Sequence, residues 1–319
     1  MRISTKQSRE LELLSKAYEK SGRNIATLLD KNIASLIITG NKVLGLNNVT
    51  GVEVLPRQIS HGVEADINIQ PNIVLNRPIH ICTGFLEKRG MQKIVFNIRI
   101  GDNSSVKFVA HCTFPWVEEF THEALSNVWI GKNAKMSYMD EHHHSESGSI
   151  NLKTTTKAFV SKGGYYFNSF VLTKTRVGVL NFNAEVELDD DAVAEMVTKI
   201  KASHDDRVMV REKIDLIGSH SRGIAKSVIV ALDEAQARVV NEAYGRGDYS
   251  KGHIKCEEIT KGKHVQVSTV PVLKVFNDLS ELTHEASIGR VNAKQLETLM
   301  SKGLTEEEAT NLIVKGLVS

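Results

Sequence analysis

Three groups of side chains in this 319-residue sequence have the types and spacing that metal or sulfur chemistry needs. The first is Cys256, in the polar stretch GHIKCEEI beside Lys251 and Lys255, with His284 and Glu285 further along. Nearby positive charge favours the thiolate, the form that binds iron or attacks a persulfide. The second group is His111 and Cys112 with His122 and Glu123, a thiol and imidazoles that could ligate a soft transition metal. A lone cysteine in an alternating apolar strand is more often a small buried hydrophobe. The third is His142, His143 and His144, preceded by Asp140 and Glu141. Successive residues of a strand point to opposite faces, so the three imidazoles cannot share one metal, and the run reads as a polar loop that binds metal incidentally.

Known catalytic signatures are missing. The sequence has no P-loop, no nucleophile elbow and no paired-histidine zinc helix. Cys82, Cys112 and Cys256 are odd in number and far apart, which fits reduced thiols better than a disulfide framework. A carbohydrate-active enzyme would show grouped carboxylates and aromatic platforms, and only Asp189 to Asp191 cluster, in a turn.

The elements that must position these residues fall into three regions. Residues 1–34 read as a helical segment: Leu11, Leu14, Ala17 and Tyr18 share one face, Gly22 fits the stop, and a second short helix is expected around Ala26, Leu28 and Leu29. Residues 35–289 carry period-two segments such as KIVFNIRI and SVKFVAHC. Turn clusters begin at Gly101, Gly131, Ser161, Leu188 and Gly218, a near-constant interval of the length that solenoid repeats use. A strand–turn unit recurring at that spacing predicts a β-solenoid, in which each coil buries its inner face only against its neighbours. A β-sandwich, with turns roughly every 8–12 residues, is the competing architecture, and spacing alone leaves both open. The interval from Cys256 to His284 and Glu285 is close to one such step. In the solenoid, residues one step apart stack, so Cys256 would neighbour His284 or Glu285.

Residues 290–319 are helical again. Asn292 with Gln295 and Thr305 with Glu308 form capping boxes. Leu296, Leu299 and Met300 line one helix, Gly303 fits its stop, and Ala309, Leu312, Ile313 and Leu317 line the next. These helices either cap the β-core or present a partner surface, in which Leu304 would join Leu296, Leu299, Met300, Leu312 and Ile313. Lys and Arg number 40 against 38 Asp and Glu, so the charge gives no reason to expect nucleic acid or an acidic membrane. Apolar runs stay well short of the roughly 18 residues that span a bilayer, and the N-terminal stretch has no signal-peptide core. A soluble, cytoplasmic protein is expected.

From Gly252 to Leu317 the segments GHIKCEEI, VPVLKVFNDLSELTHEASIG and QLETLMSKGLTEEEATNLIVKGL closely resemble the end of the SufB/SufD family, the scaffold subunits of the Suf iron–sulfur assembly machinery. The resemblance extends from about Gly101 onward. It rests on a His-Glu-Ala-Ser block (284–287), a leucine-rich helix, a Lys-Gly turn (302–303) and a Glu-rich helix start. It implies a mainly β fold, a right-handed parallel β-helix core with short helical N- and C-terminal segments. It further implies a non-enzymatic scaffold that carries a transient iron–sulfur cluster at Cys256 and Glu285, with His284 as a third candidate ligand. A SufC-like ABC ATPase docked on the C-terminal helices is implied as well. SufD-type chains tend to carry Cys-Ser-His-Gly where this sequence has Leu282, Thr283, His284 and Glu285, which makes it SufB-like. The short N-terminal region resembles the compact archaeal or minimal-system form, for which a homodimer is the simplest assembly. The alternative within the family is a SufD-like structural subunit that holds no metal.

Overall fold

The computed structural model describes residues 5–20 and 28–318. It is a parallel β-solenoid, built because apolar residues alternate along nearly every strand and one face of each must find cover. In chain order the strands are β1 (Ser35–Thr39), β2 (Lys42–Asn47), β3 (Val52–Ile59), β4 (Gly62–Ile69), β5 (Ile79–Gly84) and β6 (Arg89–Ile100). There follow β7 (Ser105–Phe114), β8 (Glu119–Ile130), β9 (Lys135–His144), β10 (Ile150–Val160), β11 (Tyr165–Leu172), β12 (Val179–Leu188) and β13 (Val193–Ala202). The last six are β14 (Arg207–Leu216), β15 (Arg222–Leu232), β16 (Gln236–Gly245), β17 (Lys251–Lys261), β18 (Gln266–Val275) and β19 (Glu281–Arg290).

From β5 onward, odd-numbered strands stack into one parallel sheet and even-numbered strands into another. A single apolar core runs between them, from Ile38 and Val63 to Ala243 and Ile254. The sandwich alternative is thereby excluded: from β4 to β19 consecutive strands lie in different sheets and each pairs in parallel with the strand two places along. Antiparallel pairs β1–β2 and β3–β4 close the N-terminal end.

The turn clusters legible in the sequence form one corner of the coil. Asn103, Asn133, Gly163, Asp191 and His220 stand there with φ between 53° and 66°, the left-handed region that Gly, Asn and Asp enter most readily. Their amides bond the next coil's carbonyls in a ladder: Asn103 N–H to Lys132 O at 2.8 Å, Asn133 N–H to Lys162 O at 3.0 Å, and Asp191 N–H to Ser219 O at 2.9 Å.

Helix α1 (Thr5–Lys20) lies against the outer face of the first coils, where Leu14 and Tyr18 pack on Ile37, Leu44 and Cys82. The expected stop at Gly22 and the Ala26 part of the expected second helix lie outside the described residues. At the other end α2 (Ala293–Met300) and α3 (Glu306–Val318) fold back on the solenoid. One capping box forms in full, Thr305 and Glu308 bonding reciprocally at 2.8 and 3.2 Å, while at the other Asn292 accepts from the Gln295 amide at 3.1 Å as a simple N-cap. Val314 of α3 seats on Val228, Val230 and Leu232, the outer face of β15. The docking face is therefore Ala309, Thr310 and Val314, not the Leu312–Ile313 side; the Leu317 side chain lies outside the described residues.

Candidate functional site

Cys256 points into the solenoid and is 1% exposed. Its position belongs to an inward row of the odd-strand sheet: Thr198 on β13 registers with Ser227 on β15, Ser227 with Cys256 on β17, and Cys256 with Ala286 on β19. From the opposite sheet, Glu212 on β14 and Asn241 on β16 are registered with each other and face the same space. Asn241 Nδ2 donates to Cys256 Sγ and to Ser227 Oγ, both at 3.3 Å, and Thr198 Oγ1 donates to Glu212 Oε1 at 2.7 Å. One inward position beyond Cys256 lies Glu258, fully buried, accepting from Thr269.

A thiol, two carboxylates, an amide and three hydroxyls thus share an otherwise apolar interior. Burial dominates their titration. It pushes the Cys256 thiol up to about 11, helped by the charges of Glu258 and Glu212 and opposed by hydrogen bonds from Ser227 and Asn241. The same burial raises Glu212 to about 7 against hydrogen bonds from Thr198 and Asn241, and raises Glu258 against its bond from Thr269. The lysine-activated thiolate expected from GHIKCEEI is therefore corrected. Lys251 and Lys255 lie on the outer face, paired with Glu281 at 2.9 Å and Glu285 at 3.4 Å, with the strand between them and the sulfur.

The three residues singled out near the C-terminus divide between two faces. His284 registers with inward-pointing Ile254, so it shares the Cys256 face, one coil on and one inward position away. Its Nε2 is buried without a hydrogen-bond partner, and burial, with His253 second, lowers its pKa. Glu285 registers with Lys255 and is on the outside. The local coil is slightly longer than the interval from Cys256 to His284 or Glu285, which is why the coil neighbour of Cys256 is Ala286.

Sequence reasoning missed Glu212, Ser227, Asn241 and Glu258. The available signal was a single polar residue at an inward position of each strand, repeated once per coil: Thr198, Ser227 and Cys256 in one sheet, Glu212 and Asn241 in the other.

The remaining candidates converge nearer the N-terminal end. Cys112 on β7 registers with His142 on β9, and both point inward. The reading of residues 142–144 as a polar loop is corrected: they end β9, with His142 and His144 each 2% exposed and only His143 on the outer side. His122 joins them from β8, its ring 6.3 Å from that of His142, and burial followed by the His142 charge lowers it to about 3. Glu123, on the alternate face, takes no part.

Helices α2 and α3 enclose an apolar groove lined by Leu299, Thr298, Leu312 and Ile313. Leu296 and Leu304 are half-buried, and Met300 and Leu312 are 41% and 50% exposed. No helix among the described residues is long and apolar enough to cross a membrane.

The family model described as "SUF system FeS cluster assembly, SufBD core domain" matches residues 86–317, which covers the solenoid from β6 onward and the C-terminal helices. The chain belongs to the SufBD family. An iron–sulfur cluster assembly SufBD family protein of Pyrococcus horikoshii is 48% identical to it, covering all of this chain and 96% of the relative. Another, of Methanocaldococcus jannaschii, is 36% identical over 89% of each chain. A second SufBD protein of P. horikoshii is 28% identical over 78% of this chain and 56% of its own length. SufBD membership makes this an iron–sulfur cluster assembly protein, and Cys256 with its carboxylates lies within the matched segment.

Proposed function

We propose that this SufBD chain is a SufB-like scaffold on which a nascent iron–sulfur cluster forms at Cys256, with His284 and Glu285 as further ligands. The observation that carries the proposal is the buried polar group around Cys256: a thiol sharing the interior with Glu212 and Glu258, one coil from the end of the solenoid. Thiolate suits iron and sulfide, and carboxylate and imidazole are harder ligands that let a cluster leave. Building a cluster deprotonates the thiol, which a pKa near 11 opposes, so iron must arrive together with the loss of that proton.

Glu285 reaches this group only if β19 moves. That strand pairs with β17 alone, and a one-residue slip turns Glu285 inward and His284 outward, so the two serve as ligands in alternate registers. A SufC-like ABC ATPase seated in the α2–α3 groove supplies such a movement in our reading, as a ligand-biased two-state switch. The open edges of β18 and β19, with Leu273, Val275, Phe276 and Ile288 exposed, suit pairing with a second copy into a cytoplasmic homodimer. ATP hydrolysis belongs to the partner, and this chain acts without catalysis of its own.

Anaerobic reconstitution with iron and sulfide tests the site. Wild-type protein is expected to gain the visible absorption of a cluster and Cys256→Ala to lose it; equal cluster content in the two overturns the assignment. A SufD-like structural subunit is the second reading, favoured by the deep burial of Cys256. It predicts iron content in the wild type no higher than in Cys256→Ala.

A further inference from the structure

The SufBD reading makes no use of the group near the N-terminal end, which has the geometry of a metal site. Atoms of Cys112, Asp140 and His142 lie within 4.8 Å of one another. His142 Nε2 is 3.2 Å from Asp140 Oδ2, and its Nδ1 is 3.3 Å from His144 Nε2. Asp140 Oδ1 and both ring nitrogens of His122 are buried without hydrogen-bond partners. Native interiors rarely leave so many polar atoms unpaired, and an ion is one of the few things that satisfies several at once. An interior cavity of about 40 Å³, room for an ion or a water, is lined by Cys112, His122 and Asp140.

We propose that Cys112, Asp140 and His142 hold a divalent first-row transition ion, ferrous iron or zinc, inside the solenoid, with His122 facing the remaining coordination position. Charge supports this. Thiolate, carboxylate and neutral imidazole around a divalent ion sum to zero, which suits a buried setting. Binding releases the Cys112 proton to solvent and leaves the metal's oxidation state unchanged. With Nε2 of His142 on the metal, its Nδ1–H is left to donate to His144 Nε2, 3.3 Å away, an arrangement that holds the ring in that tautomer. The site is separate from the Cys256 pocket. Asp140 and Cys256 stand on the same inward row four strands apart, roughly 19 Å at the usual strand spacing.

The test is cobalt(II) loading of the full chain during expression, in the Cys256→Ala background so that the cluster pocket offers no thiolate. The expected result is one tightly held equivalent with a near-ultraviolet thiolate-to-cobalt band. Adding Cys112→Ser abolishes the band and Cys82→Ser leaves it. His144→Ala weakens affinity about 10- to 100-fold, and His143→Ala on the outer face changes nothing. Folding is checked by circular dichroism. A folded Cys256→Ala protein that retains no cobalt overturns the proposal whatever the further variants do, as does a band that survives Cys112→Ser. Competition with ferrous iron and with zinc then tells which ion the site prefers.

Discussion

Lys255 Nζ lies 3.4 Å from Glu285 Oε1 on the outer face of the solenoid, directly behind the inward pair Cys256 and Ala286. One strand thickness therefore separates an exposed ion pair from the thiol. Glu285 is 62% exposed in this arrangement, so its contribution to stability is small. Glu285→Gln is expected to shift the urea-unfolding free energy by less than about 1 kcal/mol. The same variant should lose more than half of the cluster formed on reconstitution; full cluster content would remove Glu285 from the ligand set.

Glu212 makes stability depend on pH in an unusual direction. Its folded-state pKa, about 7, is above its ordinary value of 4.5, so the folded protein binds the proton more tightly than the unfolded chain. Stability from this group is therefore full below about pH 4.5 and declines as pH rises towards 7, then levels off. The loss is on the order of 3 kcal/mol. Glu212→Gln should flatten that part of the profile, and denaturant titrations at pH 5 and pH 8 will measure it. Identical slopes in variant and wild type would show that Glu212 ionises without cost.

Asp206 ties two adjacent coils together. Its buried carboxylate accepts from the amides of Val177, Gly178 and Ser203 at 3.2, 3.0 and 2.9 Å, and from Arg176 at 3.0 Å. Asp206→Ala leaves three amides without their acceptor and takes from the largely buried Arg176 guanidinium one of its two carboxylate partners, Asp205 keeping the other. We expect a loss of roughly 3–5 kcal/mol in chemical denaturation, against under about 1 kcal/mol for the exposed neighbour Asp205→Ala.

The two sides of α3 can be separated by mutation. Val314→Asp places a charge against Val228, Val230 and Leu232 and should release the C-terminal helices, read as protease sensitivity after residue 290 with the solenoid intact. Leu312→Glu lies on the groove side, so it should leave the fold unchanged and abolish co-purification with the SufC-like ATPase. Undiminished co-purification would place that partner elsewhere.

The solenoid was half legible: residues that tolerate left-handed backbone, such as Asn103, Asn133 and Asp191, recur at near-constant spacing, which left a sandwich open, and the family resemblance favoured the β-helix. Facing was legible for His142 to His144, since alternation alone separates His143 from its neighbours. Depth was not: alternation gives a side and says nothing of whether α1 or a second sheet covers it. The Cys256 neighbourhood was half legible. The turn spacing suggested contact with His284 or Glu285, whereas the actual register puts Ala286 there and leaves His284 on the correct face but offset. Glu212 and Asn241 escaped notice because they approach Cys256 across the core from the other sheet, a relationship that spacing within one sheet does not encode.

The ladder of turn amides also determines how this molecule yields to tension. Each coil is held by its neighbours alone, so a pull on the C-terminus first lifts α3 from β15 and then strips strands from the open end, beginning with β19, instead of breaking the whole core at once. Every coil of about 30 residues that peels away frees roughly 100 Å of contour length. A force–extension trace should therefore be a sawtooth of nearly equal teeth, with the Cys256 pocket opened in the first of them.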